Sequence, residues 1–127
     1  MAISVHEAEE WVKGYQKAWL SNDPRDIRSL FAEEAIYYSE PYAKPQRGPQ
    51  AIAEDWIARK DEPDDWTFEF DVVATSGDLA FVRGLTTYKE PPRIYHNLWM
   101  IRMDQTGKCA EFTEWWMETD KPAPQTT

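Results

Sequence analysis

The stretch that decides the fold is residues 94–117, which read IYHNLWMIRMDQTGKCAEFTEWWM. Apolar and aromatic residues alternate with polar ones on both sides of Gln105-Thr106-Gly107, which is a turn sequence. Alternation with a period of two is typical of β-strands, and a short polar turn containing glycine joins antiparallel neighbours. The stretch therefore predicts two adjacent antiparallel strands, from Ile94 to Asp104 and from Lys108 to Met117.

The two segments before this pair have the same strand character. Residues from Thr67 to Thr75 and from Leu79 to Lys89 are rich in β-branched and aromatic side chains, which favour strands. Turn sequences at Ser76-Gly77-Asp78 and Glu90-Pro91-Pro92 separate these segments from each other and from the next strand. The second half of the chain therefore predicts a meander of four antiparallel strands, and Ala35 to Ser39 is an earlier, fifth strand.

The first half of the chain is predominantly helical. Ser4 and Glu7 form a capping box, after which apolar residues recur at helical spacing as far as Leu20. Prolines open a second helix, from Pro24 to Phe31, and a third that begins at Pro49, because proline is tolerated at the first helical position. Helices followed by a strand meander predict an α+β fold.

Three helices of this kind can cover one face of a strongly curved, mostly antiparallel sheet. Such a sheet forms a cone-shaped half-barrel, and inward side chains near its mouth line a pocket. We expect an interior cavity of roughly 300 Å³ or more. The expected organisation is one domain over residues 1–120, followed over residues 121–127 by a disordered tail rich in Pro and Thr.

Composition narrows the classes of ligand and compartment. The net charge of −9 argues against nucleic acids and anionic membranes, whose binding depends on Lys and Arg. The ligand is expected to be neutral or cationic, or an anion held by a local basic group. Cys109 is the single cysteine, so no internal disulfide can form, and no apolar run is long enough to span a membrane. Because the N-terminus lacks a secretion signal, a cytoplasmic protein is expected.

One carboxylate in the last strand stands in unusual surroundings. Glu114 lies two residues from Phe112 and two residues from Trp116, so in a strand the three side chains share one face. An ionised carboxylate among aromatic rings is strongly disfavoured unless it is paired, hydrogen-bonded or protonated. Glu114 is therefore the first candidate for a chemical role.

Three short motifs carry a resemblance to a known family. They are Ser39-Glu40-Pro41, Tyr95-x-Asn97-x-Trp99-x-Ile101 and Phe112-x-Glu114-Trp115-Trp116-Met117. With the order of helices and strands, they resemble a bacterial subgroup of the SnoaL-like branch of the nuclear transport factor 2-like superfamily, over the chain up to about Lys121. The resemblance implies a cone-shaped half-barrel around a cavity. That superfamily includes ketosteroid isomerase, scytalone dehydratase, limonene epoxide hydrolase and non-catalytic binding domains.

The resemblance also permits a comparison with ketosteroid isomerase. Tyr15 falls where that enzyme has its oxyanion-hole tyrosine, but the position of its general-base aspartate falls near Ser39 or Glu40, and its second oxyanion acid falls at Trp99. The full set of groups is not reproduced, so the resemblance implies the fold far more strongly than that reaction. Glu40, before Pro41, is a second possible acid or a loop carboxylate that caps nearby amides.

In the register that the resemblance implies, one aromatic chamber contains apolar and polar side chains together. The catalytic candidates are Glu114 as acid or base and Tyr15 and Asn97 as hydrogen-bond donors to a developing oxyanion. The ligand-binding candidates share the same face or close it from the helices and the first strand; they are Trp19, Tyr37, Ser39, Trp56, Phe81, Arg83, Trp99, Phe112 and Trp116.

Glu114 has two interpretations that differ in the direction of its pKa. Aromatic walls would raise the pKa toward neutrality, whereas an internal ion pair with Arg83 would lower it. A one-residue slip of the last strand would turn Glu114 outward and bring Trp115 and Met117 inside. The aromatic stripe that Tyr15 begins in the first helix is also compatible with an ordinary filled core.

The two histidines do not indicate a metal site. His6 and His96 lack the spacing of metal ligands, and no Gly-rich phosphate motif precedes a helix. Neither a metal nor another cofactor is expected. His96 is one residue out of phase with Asn97, so it is expected to point away from the chamber.

Together these features predict that the protein binds a small hydrophobic or aromatic organic molecule. If it is an enzyme, acid/base isomerisation, dehydration, cyclisation or hydration without a cofactor is the expected chemistry. The alternative is a non-catalytic ligand-binding or dimerisation module with a filled interior and a structural pair between Glu114 and Arg83. Trp115 and Met117 on the outer face predict a homodimer through the sheet, as many members of the resembled superfamily form.

Overall fold

The computed structural model describes residues 2–119. Within these residues the chain forms three helices and six strands. In chain order they are α1 (Val5–Ser21), α2 (Pro24–Arg28), β1 (Phe31–Tyr38), β2 (Gln46–Arg47), α3 (Pro49–Ala58), β3 (Trp66–Ser76), β4 (Leu79–Tyr88), β5 (Arg93–Met103) and β6 (Cys109–Glu118). The residues assigned to a disordered tail, 121–127, lie outside the described residues.

The first helix has the ends that its sequence predicts. Ser4 accepts a hydrogen bond from the Glu7 backbone N–H, and the Glu7 carboxylate accepts one from the Ser4 backbone N–H, both at 3.0 Å. This reciprocal cap satisfies two backbone donors that the first turn would otherwise leave open. Asn22 ends the helix in the left-handed conformation with a φ of 51°, which asparagine tolerates better than most residues. The predicted capping box is confirmed.

The second helix and the first strand differ from the prediction. The helix ends at Arg28 instead of Phe31, and Phe31 begins β1, four residues before the predicted start of the strand at Ala35. Phe31 pairs with Cys109 across a parallel ladder, and the Cys109 backbone N–H donates to the Leu30 carbonyl at 2.9 Å. Because this partner lies about eighty residues away in sequence, the helical spacing near Phe31 gives no sign of it.

All six strands join one open sheet in the order β2-β1-β6-β5-β4-β3. The pair β1 and β6 is parallel, and the other neighbouring pairs are antiparallel. The α+β class and the mostly antiparallel sheet are confirmed. The short strand β2, within the segment predicted to be a loop, extends the edge beside β1. No helix in residues 2–119 has both the length and the apolar composition of a membrane-spanning segment.

The inner face of the sheet packs against α1 and forms the core at one end of the strands. Phe112 is fully buried, and its ring lies 5.6 Å from that of Trp11 and 5.4 Å from that of Tyr15, centroid to centroid. Ile101, opposite Phe112 on β5, is also fully buried. Farther along β5 and β6, the inward side chains of Asn97, Glu114 and Trp116 line open space instead of packing into this core.

Strand β4 presents the opposite face from the one that the sequence predicts. Phe81 and Arg83 lie on the outer side, whereas Val82 and Gly84 are buried on the inner side. Gly84 is the inward residue because the ring of Phe68 occupies the place of a side chain there, only 2.5 Å from where a Cβ would stand. The predicted inward position of Phe81 and Arg83 is therefore wrong.

Candidate functional site

A cavity of about 310 Å³ opens at the end of the half-barrel away from the packed core. This volume confirms the expectation of an interior space of roughly 300 Å³ or more. Its walls are formed by the helices, the inner face of the sheet and the loops at the mouth. The lining residues are Tyr15, Trp19, Tyr37, Ser39, Gln46, Ile52, Asp55, Trp56, Arg59, Lys60, Asp61, Thr86, Tyr88, Arg93, Tyr95, Asn97, Trp99, Glu114 and Trp116.

Glu114 projects into this cavity from β6. It is directly opposite Trp99 on β5, and its carboxylate accepts a hydrogen bond from Asn97 Nδ2 at 2.9 Å and a long one from the Tyr37 hydroxyl at 3.5 Å. Among the described residues it forms no ion pair. The carboxylate is therefore stabilised by neutral dipoles and by no positive charge.

The surroundings raise the pKa of Glu114. Burial of the carboxyl group is the largest cause, and it outweighs the N–H and O–H groups of Trp99, Asn97 and Tyr37, which lower the pKa by stabilising the charged form; the negative charge of Asp61 raises it further. The indole N–H of Trp99 acts on the carboxylate without meeting the geometry of a hydrogen bond, since Trp99 Nε1 has no partner among the described residues. A raised pKa is the direction expected of an acid/base group and the opposite of that expected of an ion pair.

Two tyrosines extend the polar network from Glu114 across the cavity. The hydroxyls of Tyr15 and Tyr37 are 2.8 Å apart, and Tyr37 continues to Glu114. Burial raises the pKa of both phenols well above the usual value, with the Glu114 charge adding to the effect. Both hydroxyls thus stay protonated and can donate hydrogen bonds.

A buried pair of side chains fixes the orientation of Asn97. The Thr86 hydroxyl donates to Asn97 Oδ1 at 2.8 Å, which leaves the amide nitrogen to face Glu114. Thr86 and Asn97 are the two buried polar residues of the inner face. A reversed amide would place its oxygen against the ionised carboxylate, where two acceptors would face each other, so Asn97 is held as a donor to Glu114.

A second carboxylate, Asp61, lies in the cavity wall. Its Oδ2 atom accepts hydrogen bonds from Trp19 Nε1 at 3.0 Å and from the Tyr88 hydroxyl at 2.8 Å. Burial is the main cause of a raised pKa at Tyr88, followed by this hydrogen bond and the negative charge of Asp61. Asp61 follows α3 and begins the acidic segment Asp61-Glu62-Pro63-Asp64-Asp65. Its hydrogen bonds place it against α1 and β4.

Aromatic rings form most of the remaining wall. The ring of Tyr15 lies 4.7 Å from that of Trp56 and 4.6 Å from that of Trp99. Trp116 is about half exposed at the mouth, where its indole N–H donates to the Ser39 carbonyl at 3.2 Å. The site therefore combines an aromatic surface with a few convergent polar groups, as small-molecule sites usually do.

Nine of the predicted site residues line the cavity together. They are Glu114, Tyr15, Asn97, Trp19, Tyr37, Ser39, Trp56, Trp99 and Trp116. Three others do not. Phe112 lies beneath the cavity as a fully buried core residue, Phe81 lies on the outer face of β4, and Arg83 is exposed there in an ion pair with Asp71 at 3.0 Å. The predicted pair between Arg83 and Glu114 is wrong, because the two side chains are on opposite faces of the sheet.

Several lining residues are absent from the sequence-based set. Tyr95 shares the alternation of Asn97 and Trp99, so the same pattern predicts that Tyr95 lines the cavity. Asp61 has no such signal, since an acidic linker is usually a solvated loop. Two other residues with an uncertain role lie outside the cavity: His96 is exposed on the outer face, as expected from its phase, and Glu40 is exposed in a turn.

Metal coordination does not account for the two carboxylates. Across residues 2–119, no group of three or more His, Cys, Asp or Glu side chains is placed to hold a metal ion. The Asn97 amide nitrogen and the Tyr37 hydroxyl donate hydrogen bonds to the Glu114 carboxylate, and such donors do not complete a metal site. The site as described is suited to an organic ligand.

The sequence also matches a family model. A model described as a SnoaL-like domain covers residues 12–118, which is most of the chain and includes Tyr15, Asn97 and Glu114. The chain belongs to the SnoaL-like family. The resemblance noted from its motifs is thereby confirmed, while no curated protein matches this SnoaL-like chain.

Solved structures with the same fold come from several bacteria. A cystatin-like fold protein of unknown function from Methylobium petroleophilum PM1 is 17% identical with a TM-score of 0.71, over 99% of this chain and 82% of its own. A putative ketosteroid isomerase from Kribbella flavida is 16% identical with a TM-score of 0.69, over 95% of this SnoaL-like chain and 85% of its own. A ketosteroid isomerase-like fold protein from Catenulispora acidiphila, in complex with trimethylamine, is 18% identical with a TM-score of 0.64, over 84% of each chain. At these identities the likeness establishes the fold alone.

Proposed function

We propose that this protein binds a compact, mainly apolar organic molecule in its cavity and that Glu114 transfers a proton to or from it. The observation that carries the proposal is a carboxylate that faces an open aromatic cavity, with neutral donors around it and with a pKa raised by burial. A carboxyl group whose pKa is shifted toward the working pH is a better base when ionised and is more often available as an acid. Groups of this kind are frequent at functional sites.

The simplest reaction for this arrangement begins at a C–H bond next to a carbonyl group. The ionised Glu114 takes the proton, and the electron pair of the C–H bond moves into the carbon–carbon bond as the carbonyl oxygen becomes an enolate oxygen. Return of the same proton to another carbon completes an isomerisation, and no oxidant, metal or external reductant is needed. The indole N–H of Trp99, which has no partner among the described residues, is a donor available to the developing oxyanion.

The Tyr15–Tyr37–Glu114 chain links the protonation of Glu114 to the direction of its hydrogen bonds. When Glu114 is ionised, Tyr15 donates to Tyr37 and Tyr37 donates to the carboxylate. When Glu114 carries the proton, the carboxyl group donates to Tyr37, Tyr37 donates to Tyr15, and the Tyr15 hydroxyl is free to donate into the cavity. Proton uptake by Glu114 thus supplies a new donor near the substrate at the moment when negative charge develops.

A non-catalytic binding module is the competing function, and isotope exchange distinguishes the two. We expect the protein to speed the exchange of carbon-bound hydrogens in at least one of a panel of small cyclic ketones, enones and lactones in D₂O, measured by proton NMR against buffer. Since the base form is needed, the rate should rise with pH through the raised pKa of Glu114 and then level off. Ligands that raise the melting temperature without any exchange would contradict catalysis and support the binding module.

For the outer face of the sheet we propose a homodimer with a second copy of this chain. All three helices lie on the inner side, and the outer row across the strands runs from Trp115 through Leu98 and Arg83 to Asp71. Trp115 is 43% exposed and Met117 59% exposed, and large apolar side chains exposed side by side often mark a protein contact. The row has an apolar end at Trp115 and charges of opposite sign at Arg83 and Asp71. In a two-fold contact, the apolar ends of the two copies can meet at the centre, and opposite charges of the two copies can meet at the rim.

Trp115→Glu is expected to convert the dimer to a monomer, because it places a charge in the apolar part of the contact. Sedimentation equilibrium or light scattering should report about twice the chain mass for the unaltered protein and the single-chain mass for the variant. Tyr42→Glu, which changes a fully exposed aromatic residue in a loop, is the matched control and should remain dimeric. A monomeric unaltered protein at micromolar concentration would contradict the proposal.

A further inference from the structure

Two of the three carboxylates that line the cavity, Asp61 and Glu114, have no cation partner in the described part of the chain, whereas the third, Asp55, pairs with Arg59. Glu114 and Asp61 both line it, and neither takes part in an ion pair within residues 2–119. Their charges interact, since the negative charge of Asp61 is one of the causes that raise the pKa of Glu114. Because both carboxylates line one cavity and neither has a cation partner among the described residues, a cationic ligand in that cavity would lie where two negative charges attract it.

Asp61 keeps one oxygen available to a ligand. Its Oδ2 atom receives both protein hydrogen bonds, from Trp19 and from Tyr88, whereas its Oδ1 atom receives none from the side chains or backbone of the described residues. The two bonds to Oδ2 hold the carboxylate in place. The protein thus holds one carboxylate oxygen of Asp61, and the other oxygen is free to accept a hydrogen bond from a ligand.

None of the three basic residues of the cavity wall forms an ion pair with Asp61 or Glu114. Arg59 pairs with Asp55 at 3.3 Å, and the guanidinium of Arg93 lies over the Tyr88 ring, 4.4 Å from its centroid. Lys60 is exposed. The protein therefore already places one cation on an aromatic ring of this wall, and none of its own cations reaches the two carboxylates.

The rings around the carboxylates present surfaces that attract positive charge. Tyr15, Trp19, Trp56 and Tyr88 line the cavity, and the faces of aromatic rings carry partial negative charge that favours ammonium groups. Aromatic walls combined with carboxylates are the usual elements of sites for alkylammonium ions. A purely apolar ligand would use the rings but would leave both carboxylates without a cation partner.

We propose that the ligand of this cavity is an organic monocation, in which an ammonium group lies between Asp61 and Glu114 and a compact apolar body lies against the aromatic wall. The proposal rests on the proposed function in one respect, that the same cavity is the binding site. A volume of about 310 Å³ admits a single-ring amine. The net charge of −9 adds a long-range field that attracts a cation.

Three isosteric probes test the sign of the preferred charge. Benzylammonium, benzyl alcohol and benzoate have one ring and nearly one shape, and their affinities can be measured by isothermal titration at about pH 8, where benzylamine is mainly protonated and ordinary carboxylates are ionised. We expect benzylammonium to bind about tenfold or more tighter than benzyl alcohol, as a cation–π contact and a partly desolvated charge pair together allow, and benzoate not to bind. Equal affinities, tighter binding of benzoate, or no binding of benzylammonium would each overturn the proposal.

The variant Asp61→Asn tests whether Asp61 provides the preference for the ammonium ion over the alcohol. The variant keeps an oxygen for Trp19 and Tyr88 and removes the charge, so we expect about tenfold weaker binding of benzylammonium and a change within about threefold for benzyl alcohol. Asp78→Asn, the same chemical change beside Arg102 in the turn before β4, should alter neither. Unchanged binding of benzylammonium by a folded Asp61→Asn variant would overturn the assigned role, and the three-probe comparison on the unaltered protein decides the charge preference even if that variant does not fold.

Proton transfer by Glu114 and the preference for a cation can be refuted independently. Equal binding of the alcohol and the ammonium ion would remove the cation preference and leave proton transfer by Glu114 untouched. A clear preference for the ammonium ion together with no hydrogen exchange in any ligand would remove the catalytic proposal and leave cation binding in place.

Discussion

Glu114→Gln is expected to slow hydrogen exchange in a bound ketone about 10²- to 10⁴-fold, the usual contribution of a positioned acid or base, while the fold stays intact. Glutamine has nearly the same shape and can still accept the hydrogen bond from Asn97, but its amide cannot take up a proton at any accessible pH. The measurement is the exchange rate by NMR at a ligand concentration that saturates both proteins. A variant that exchanges at the original rate would show that another group is the base.

The same substitution should change how stability depends on pH. The folded protein raises the pKa of Glu114 above its value of about 4.3 in an unfolded chain, so the folded state binds this proton more tightly. The contribution of Glu114 is therefore most favourable below the unfolded pKa, and the free energy of unfolding falls as pH rises from there through the folded pKa. Glutamine does not titrate, so the Glu114→Gln variant does not lose this part of the free energy of unfolding as pH rises.

We thus expect the variant to gain stability relative to the unaltered protein as the pH rises through this window, and to keep that advantage above it. Urea unfolding at a series of pH values measures the difference. Since Arg83 pairs with Asp71 on the outer face, the large loss of stability that follows from breaking a buried ion pair is not expected. A variant that is instead less stable at neutral pH than at acid pH, relative to the unaltered protein, would contradict the raised pKa.

Phe112→Ala is expected to lower the free energy of unfolding by about 3–5 kcal/mol, as removal of a fully buried aromatic ring usually does. Phe112 is completely buried, and its ring lies within 6 Å of those of Trp11, Tyr15, Tyr37 and Trp99. Alanine would leave a hole under the cavity floor that these large rings cannot easily close. Denaturant unfolding followed by tryptophan fluorescence measures the change.

Tyr42→Ala is the matched control for Phe112. Tyr42 is fully exposed, so its replacement should alter stability by no more than about 0.5 kcal/mol. A loss below about 1 kcal/mol in Phe112→Ala would mean that the ring is a movable part of the ligand site instead of the core. This outcome would restore the sequence-based assignment of Phe112 as a ligand-binding residue.

The parts of the fold that the sequence predicts well are those that local chemistry determines. The cap at Ser4 and Glu7 fixes the start of α1, and the turn sequences fix the ends of the meander strands to within one or two residues. The resemblance predicts that Asn97 and Trp99 face inward on β5 and Glu114 on β6, and the structure places them there. Alternation alone leaves a one-residue slip of the last strand open.

The parts that the sequence does not predict depend on distant contacts. In β4 both alternating sets are largely apolar, so periodicity does not decide which one is inside. The decision rests on the ring of Phe68 above Gly84, a contact between neighbouring strands that no local pattern contains. Asp61 is similar, because its role depends on Trp19 and Tyr88, which come from two other elements. The curved sheet and the motif around Glu114 predict a pocket, but they do not identify its second acid.

The parallel contact between β1 and β6 has a consequence for how the site comes into being. Tyr37 and Glu114, which meet in the cavity, are 77 positions apart, and β1 has no neighbour on that side until the last strand arrives. Closing so long a loop is slow compared with forming a hairpin. During synthesis the helices and β1 are made long before β6, which completes the cavity. The binding chamber is therefore among the last features to form, and a formed chamber indicates that the molecule has finished folding.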